Sequence, residues 1–240
     1  GAGVNEIVQN EKLKSAGKPL PSWPSRIVDP PDGQVPYQPW ARAKQQELQA
    51  NMENPTKQRH IDPQARCFPN GPVRAPFLDG VQIQQFDGYV VLSHEQNHLY
   101  RIVPLDDRPH APAGVKLWMG DSRGHWEGTT LVIDITTLNA KARLDQVGNF
   151  VSENVHIVQR FIFTDANTFE YRVTLEDPTV YTRPWTISAR FLRNHIDEPG
   201  YEPWEQECQE HEENAAALAR AIESRRAASA VRSKARKSSK

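Results

Sequence analysis

No stretch of this sequence approaches the roughly 18 consecutive apolar residues of a membrane-crossing helix, so no membrane span is expected. Glycine-rich phosphate loops and the dinucleotide fingerprint G-x-G-x-x-G are missing. Nucleotide hydrolysis and nicotinamide chemistry are left without support, and the expectation is a protein with no cofactor. The nucleophile-elbow pattern G-x-S-x-G is expected to be missing too. Net charge is missing as well: 29 Lys and Arg face 30 Asp and Glu, a balance that predicts no nucleic-acid partner. Glycine is scarcer than proline, 13 against 19, which favours irregular, extended chain over a helical bundle. Cysteine is nearly absent. Cys67 and Cys208 flank everything that reads as regular strand, which suits a clasp holding an N-terminal arm to the end of the β region. In the entropic view such a loop constrains the unfolded chain by up to about 5 kcal/mol. Two unrelated free thiols are the alternative reading at this point.

The 240 residues can bury a sizeable core and suit one large β domain with appendages. Residues 1–80 read as a proline-rich extended arm with one short helix over "PWARAKQQELQANMEN". Trp23, Ile27, Val28 and Trp40 are its expected anchors, and "DPQARCFPNGPVRAPF" reads as turns. From residue 81 the period becomes two, in short β-branched and aromatic runs split by Asp-Gly, Asp-Ala-Asn and proline. Residues 81–208 are therefore expected to form an antiparallel β-barrel, lipocalin-like in form. The run around His156 supports a polar lumen, because Glu153, Val155, Ile157, Gln159 and Phe161 share one strand face while His156, Val158 and Arg160 share the other, and both mix polar with apolar groups. Residues 209–240 read as a helix and a solvated basic tail, with Arg225, Arg226, Arg232, Lys234 and others against the single acid Glu223 after position 219.

His94-Glu95-Gln96-Asn97-His98 spells the zinc-protease pattern H-E-x-x-H. That pattern needs a helix, where positions i and i+4 share a face. "YVVLS" before it and "LYRIV" after it are β-prone, and its polar centre is a natural turn. A hairpin is expected, and with it the loss of the zinc geometry.

Several separated motifs carry a resemblance: "RIVDPPDGQVP", "DPQARCFPNGPVR", "NHLYRIVPLDDRPH", "WMGDSRGHWEGTTLVIDI", "SENVHIVQRF" and "EDPTVYTRPW". Across about residues 25–215 the chain is similar to an uncharacterised bacterial family of exported β-rich proteins. In that family's hairpin pattern the matching positions are Glu95, Asn97, His98 and Arg101, and His94 has no counterpart. The resemblance implies a Cys67–Cys208 disulfide and an oxidising location, periplasmic or secreted. Where the family pattern has Glu-Gly-Asp-Thr-Leu, this chain has Thr129 in place of the acid.

A carboxylate beside an imidazole in a pocket makes a general acid/base pair. His156 with Glu153, and His98 entering from the hairpin, are the expected proton-transfer groups, with Glu95 and Asp134 as further carboxylates. Arg160 and Arg101 are expected to hold anionic substrate groups, with Asn97 and His110 beside them and Trp126 and Tyr181 as pocket walls. Plainer readings stand next to these: Arg101 and Arg160 as ion pairs with Glu95 and Glu153, and Tyr181 as a structural corner. The reading is a lyase, isomerase or cyclase that needs no cofactor or metal and acts on a small hydrophobic or phenolic molecule. The alternatives are a non-catalytic carrier of such a ligand and a metal-dependent hydrolase built on His98, His110 and His156. The oligomeric state is left open.

Overall fold

The computed structural model describes residues 25–78, 80–193, 200 and 208. Trp23, the expected C-terminal helix and the basic tail lie outside the described residues. In chain order the elements are β1 (Ile27–Asp29), α1 (Pro39–Ala50), two 3-10 turns (Gln58–His60 and Gln64–Arg66), α2 (Gly71–Leu78), β2 (Val81–Phe86), β3 (Tyr89–His94), β4 (Tyr100–Pro104), β5 (Asp121–Glu127), β6 (Thr130–Thr136), β7 (His156–Asp165), β8 (Thr168–Glu176) and β9 (Trp185–Leu192).

Local chemistry explains most boundaries. Asp87-Gly88 turns β2 into β3, and Gly88 has φ 77, a backbone state open to glycine without steric cost. Ala166-Asn167 joins β7 to β8, with the Asn167 N–H donating to the Asp165 carboxylate at 2.8 Å. Helix α1 starts at Pro39, a residue preorganised for a first helical turn. It buries Ala41, Gln45 and Leu48, one stripe at helical spacing. Helix α2 forms where turn chemistry was expected. Pro72 is harmless in its first turn, but Pro76 deprives the Pro72 carbonyl of its intrahelical donor. Tertiary structure repairs this: Gln159 Nε2 donates to Pro72 O at 2.8 Å.

All strand pairing among the named elements is antiparallel, in a six-stranded sheet of order β1-β9-β8-β7-β6-β5 and a three-stranded sheet of order β2-β3-β4. The expectation of a mainly β protein holds. The closed barrel does not form among the described residues, because β1 and β5 end the large sheet and β2 and β4 end the small one. The two sheets share one core instead. Leu131, Ile133, Ile135, Ile157, Phe161, Tyr171 and Val173 of the large sheet cluster with Val90, Leu92 and Val103 of the small one. Close approach is built in at Gly124, where a Cβ would stand 2.7 Å from Val103 Cγ1. Burying side chains of this size stabilises by about 1.5–3 kcal/mol each.

The N-terminal arm is part of this body. Ile27 pairs with Ile187, making β1 an edge strand of the large sheet. Ile27 packs against the core, whereas Val28 is exposed and Trp40 is half exposed, its indole N–H reaching Thr179 O at 3.2 Å. Cys67 and Cys208 are bonded as a disulfide, Cα to Cα 5.4 Å.

Candidate functional site

The polar residues of β5, β6 and β7 gather on the face of the large sheet turned away from the core. Strand alternation sends Leu131, Ile133 and Ile135 inward and Asp134 outward, and sends Ile157, Gln159 and Phe161 inward and His156 outward. In the β6–β7 register Asp134 lies opposite Val158, so His156 is its diagonal neighbour. The result is a short bond, His156 Nε2 to Asp134 Oδ2 at 2.6 Å. The other Asp134 oxygen meets His110 Nε2 at 2.8 Å, and His110 Nδ1 meets Asp121 Oδ2 at 2.8 Å. An uninterrupted chain of carboxylate, imidazole, carboxylate and imidazole thus runs from β5 to β7, with His110 contributed by the loop ahead of β5.

Arg123 fixes that loop. It stands opposite Asp134 in the β5–β6 register. Its guanidinium donates to Asp121 Oδ1 at 2.8 Å, to Pro109 O at 2.9 Å and to Arg108 O at 3.2 Å. Asp121 also accepts the Ala111 N–H at 2.9 Å. Partial burial works to raise the Asp121 carboxyl, but the bonds from Ala111, His110 and Arg123 outweigh it and hold the group below the ordinary carboxylate range. Both His110 nitrogens face carboxylate oxygens, so the ring bridges Asp121 and Asp134. The solvent end of the chain is His156, 41% exposed, with Asp134 at 38%. The second His156 nitrogen, Nδ1, lies 3.9 Å from Glu176 Oε2, outside hydrogen-bond reach.

Several expected partnerships are replaced. Glu153, expected as the carboxylate of His156, is exposed in the turn before β7, and its backbone carbonyl accepts from Lys116 Nζ at 3.0 Å. Sequence adjacency misled here, because cross-strand distance decides contact. His98 is exposed on the β3–β4 hairpin, whereas His156 lies on the large sheet. Arg160 pairs with Glu127 at 2.7 Å, and Glu127 also meets His125 at 3.1 Å; these two partners, Arg160 first, hold the Glu127 carboxyl down. Trp126 alternates to the other face and packs on Phe163. Tyr181 is only 1% exposed; its hydroxyl donates to Phe150 O at 2.7 Å, the corner geometry of the plainer reading. Burial, chiefly, raises its pKa well above the ordinary phenol value. Arg101 is buried on the inner face and donates to Gln159 Oε1 at 2.7 Å.

His94 to His98 form the expected hairpin. His94 N–H donates to Leu99 O at 2.8 Å, and Leu99 N–H to Gln96 O at 3.3 Å. Asn97 and His98 have φ of 55 and 48, a left-handed pair that closes a tight strand turn and cannot belong to an α-helix. The zinc-protease geometry is therefore excluded at this motif. Among the described residues no group of three or more His, Cys, Asp and Glu is arranged to hold a metal ion.

Arg123 escaped the sequence reading, and Ser122, read with Asp121 and Trp126 as closing a loop, stands on strand β5 instead. Arg123 was signalled only by its two-residue spacing from Asp121 on a strand. Ser122 lies at the centre of Gly120-Asp121-Ser122-Arg123-Gly124, which does spell G-x-S-x-G, contrary to the expectation that the pattern is missing. Its setting is mid-strand, and its buried hydroxyl is on the face opposite to Asp121 and the chain of imidazoles. The letters are present and the elbow is not.

The large sheet, the packed small sheet and the surface carboxylate–imidazole chain define a two-sheet antiparallel β protein with one organised polar face. No family model, curated protein or solved structure matches the chain.

Proposed function

We propose that this is a cofactor-independent acid/base enzyme of the lyase, isomerase or cyclase kind, with His156 as the group that takes and returns a proton on a small hydrophobic or phenolic molecule. One observation carries the reading: the chain Asp121–His110–Asp134–His156, with each link at 2.6–2.8 Å, ends on a half-exposed imidazole. Asp134 sets the tautomer and stabilises the imidazolium that forms when Nδ1 accepts a proton, and His110, Asp121 and Arg123 keep Asp134 in place. The carboxylate role assigned by sequence to Glu153 passes to Asp134. Positioned acid/base groups of this kind contribute about 10²–10⁴-fold to a rate.

The disulfide supports an oxidising location, periplasmic or secreted, in keeping with the resemblance to exported proteins. A carrier of lipocalin type draws less support, because the strand order leaves sheet edges open and the polar groups of the chain point away from the core.

The test is solvent deuterium incorporation into a panel of small enolisable ketones, lactones and phenolic acids, followed by proton NMR with the full chain. The reading expects at least one class to exchange faster with the native protein, a loss of about 10²-fold or more in H156Q and D134N, and unchanged exchange in E153Q. No acceleration across the panel, or equal loss in E153Q, overturns it.

A further inference from the structure

The inner face carries a charge that nothing among the described residues neutralises. Arg101 lies opposite Leu92 in the β3–β4 register and is 4% exposed. Its Nη2 donates to Gln159 Oε1, a neutral acceptor, while Nε and Nη1 have no partner. Burial lowers its pKa to about 10, with Tyr171 acting the other way, so the guanidinium keeps its proton at neutral pH. His94 is its diagonal neighbour on the same face of the hairpin, 5% exposed, and neither ring nitrogen has a partner. Burial first, and then the Arg101 charge, hold His94 at about 4, so the ring is neutral and offers one N–H donor. Both polar atoms of the Asn97 side chain are buried without a partner as well. Across from the turn, Asn70 Nδ2 donates to Gln96 Oε1, and Asn70 Oδ1 is left unpaired.

Desolvating a guanidinium against neutral partners alone is strongly unfavourable, and buried cations are ordinarily matched by an anion. Among the unpaired groups Arg101 Nε and Nη1, one His94 nitrogen and Asn97 Nδ2 donate, while Asn97 Oδ1, Asn70 Oδ1 and the second His94 nitrogen accept, and the one charge in the set is the positive charge of Arg101. We propose that Arg101, His94 and Asn97 form a buried binding site for a small carboxylate. A carboxylate supplies the missing acceptors and one negative charge to one guanidinium, in the planar geometry that suits such a fork. A dianion such as phosphate would leave a net charge inside, because the neighbouring His94 is neutral and the Tyr171 phenol is kept protonated by burial. The site lies between the sheets, on the opposite side of β7 from His156, so its occupancy and the acid/base reading stand or fall separately.

The experiment is thermal unfolding of the full chain at pH 7 and constant ionic strength, with sodium chloride replaced stepwise by formate, acetate or phosphate, for the native protein, R101M, H94L and N97A. The native midpoint is expected to rise with formate or acetate and to follow a one-site saturation curve. N97A is expected to shift half-saturation about tenfold upward, as the loss of one buried hydrogen bond implies. R101M is expected to show no carboxylate dependence and to melt no lower than the native protein in chloride. Equal native midpoints in chloride, formate and acetate overturn the proposal, as does an equal rise in phosphate or an undiminished carboxylate response in R101M. Should R101M fail to fold, unchanged half-saturation in both N97A and H94L overturns it.

Discussion

Replacing Gln159 with leucine removes a side chain that links both sheets to helix α2. Gln159 is fully buried. Its Oε1 accepts from the Arg101 guanidinium at 2.7 Å, and its Nε2 donates to Pro72 O at 2.8 Å and to the Tyr171 hydroxyl at 2.5 Å. Losing a hydrogen bond to a charged group costs about 1.5–3 kcal/mol, and leaving a buried carbonyl unsatisfied costs about 1–3 kcal/mol. Pro72 O has no local rescue, since Pro76 has no N–H to offer, and only the Tyr171 hydroxyl remains at 3.5 Å. Leucine restores some apolar burial, so the expected destabilisation is about 3–5 kcal/mol, or a melting point lower by about 6–20 °C for a domain of this size. Urea and thermal unfolding by circular dichroism measure it. The double variant Q159L with R101M should lose less than Q159L alone, because R101M removes the cation that Q159L strands. A Q159L loss below about 1 kcal/mol refutes the claim that this network joins the sheets.

His94 predicts an acid-side loss of stability. Its folded pKa of about 4 lies below the ordinary 6.5, so the unfolded chain binds the proton first. The contribution is complete above pH 6.5, shrinks as pH falls, and is gone near pH 4; at 1.36 kcal/mol per pH unit the swing is about 3 kcal/mol. Unfolding free energy of H94L against pH should lack this segment. Tyr181→Phe strands Phe150 O in the core and should cost about 1–2 kcal/mol in urea titration, with little effect on any proton-transfer activity.

Most strands and tight turns were legible because their causes are local: alternation over "FIFTD" and "TFEYRVTLE", the Asp-Gly pair at 87 and 88, and the β-prone flanks that turned H-E-x-x-H into a hairpin; β5 was not, because "GDSRGHWEG" is rich in turn residues and read as a loop. Sheet closure was not legible. Alternation defines faces but does not say that β1 pairs with β9 or that β2–β4 stand apart as a second sheet, and both depend on contacts far apart in sequence. The mixed faces of β7 were read as a lumen. Their true cause is that the outward face carries the imidazole chain while the inward face buries Gln159 for α2 and Arg101. Asp134 was among the expected carboxylates, but its bond to His156 depends on the β6–β7 register, which no spacing within one strand reveals.

For His156 to act as the base, Asp134 must hold its Nε2–H and leave Nδ1 free. Nitrogen-15 NMR of histidine-labelled protein above pH 7 reads the tautomer directly. The geometry predicts the Nε2–H form for His156 and a shift toward mixed tautomers in D134N; a native His156 protonated on Nδ1, or one unmoved by D134N, contradicts it.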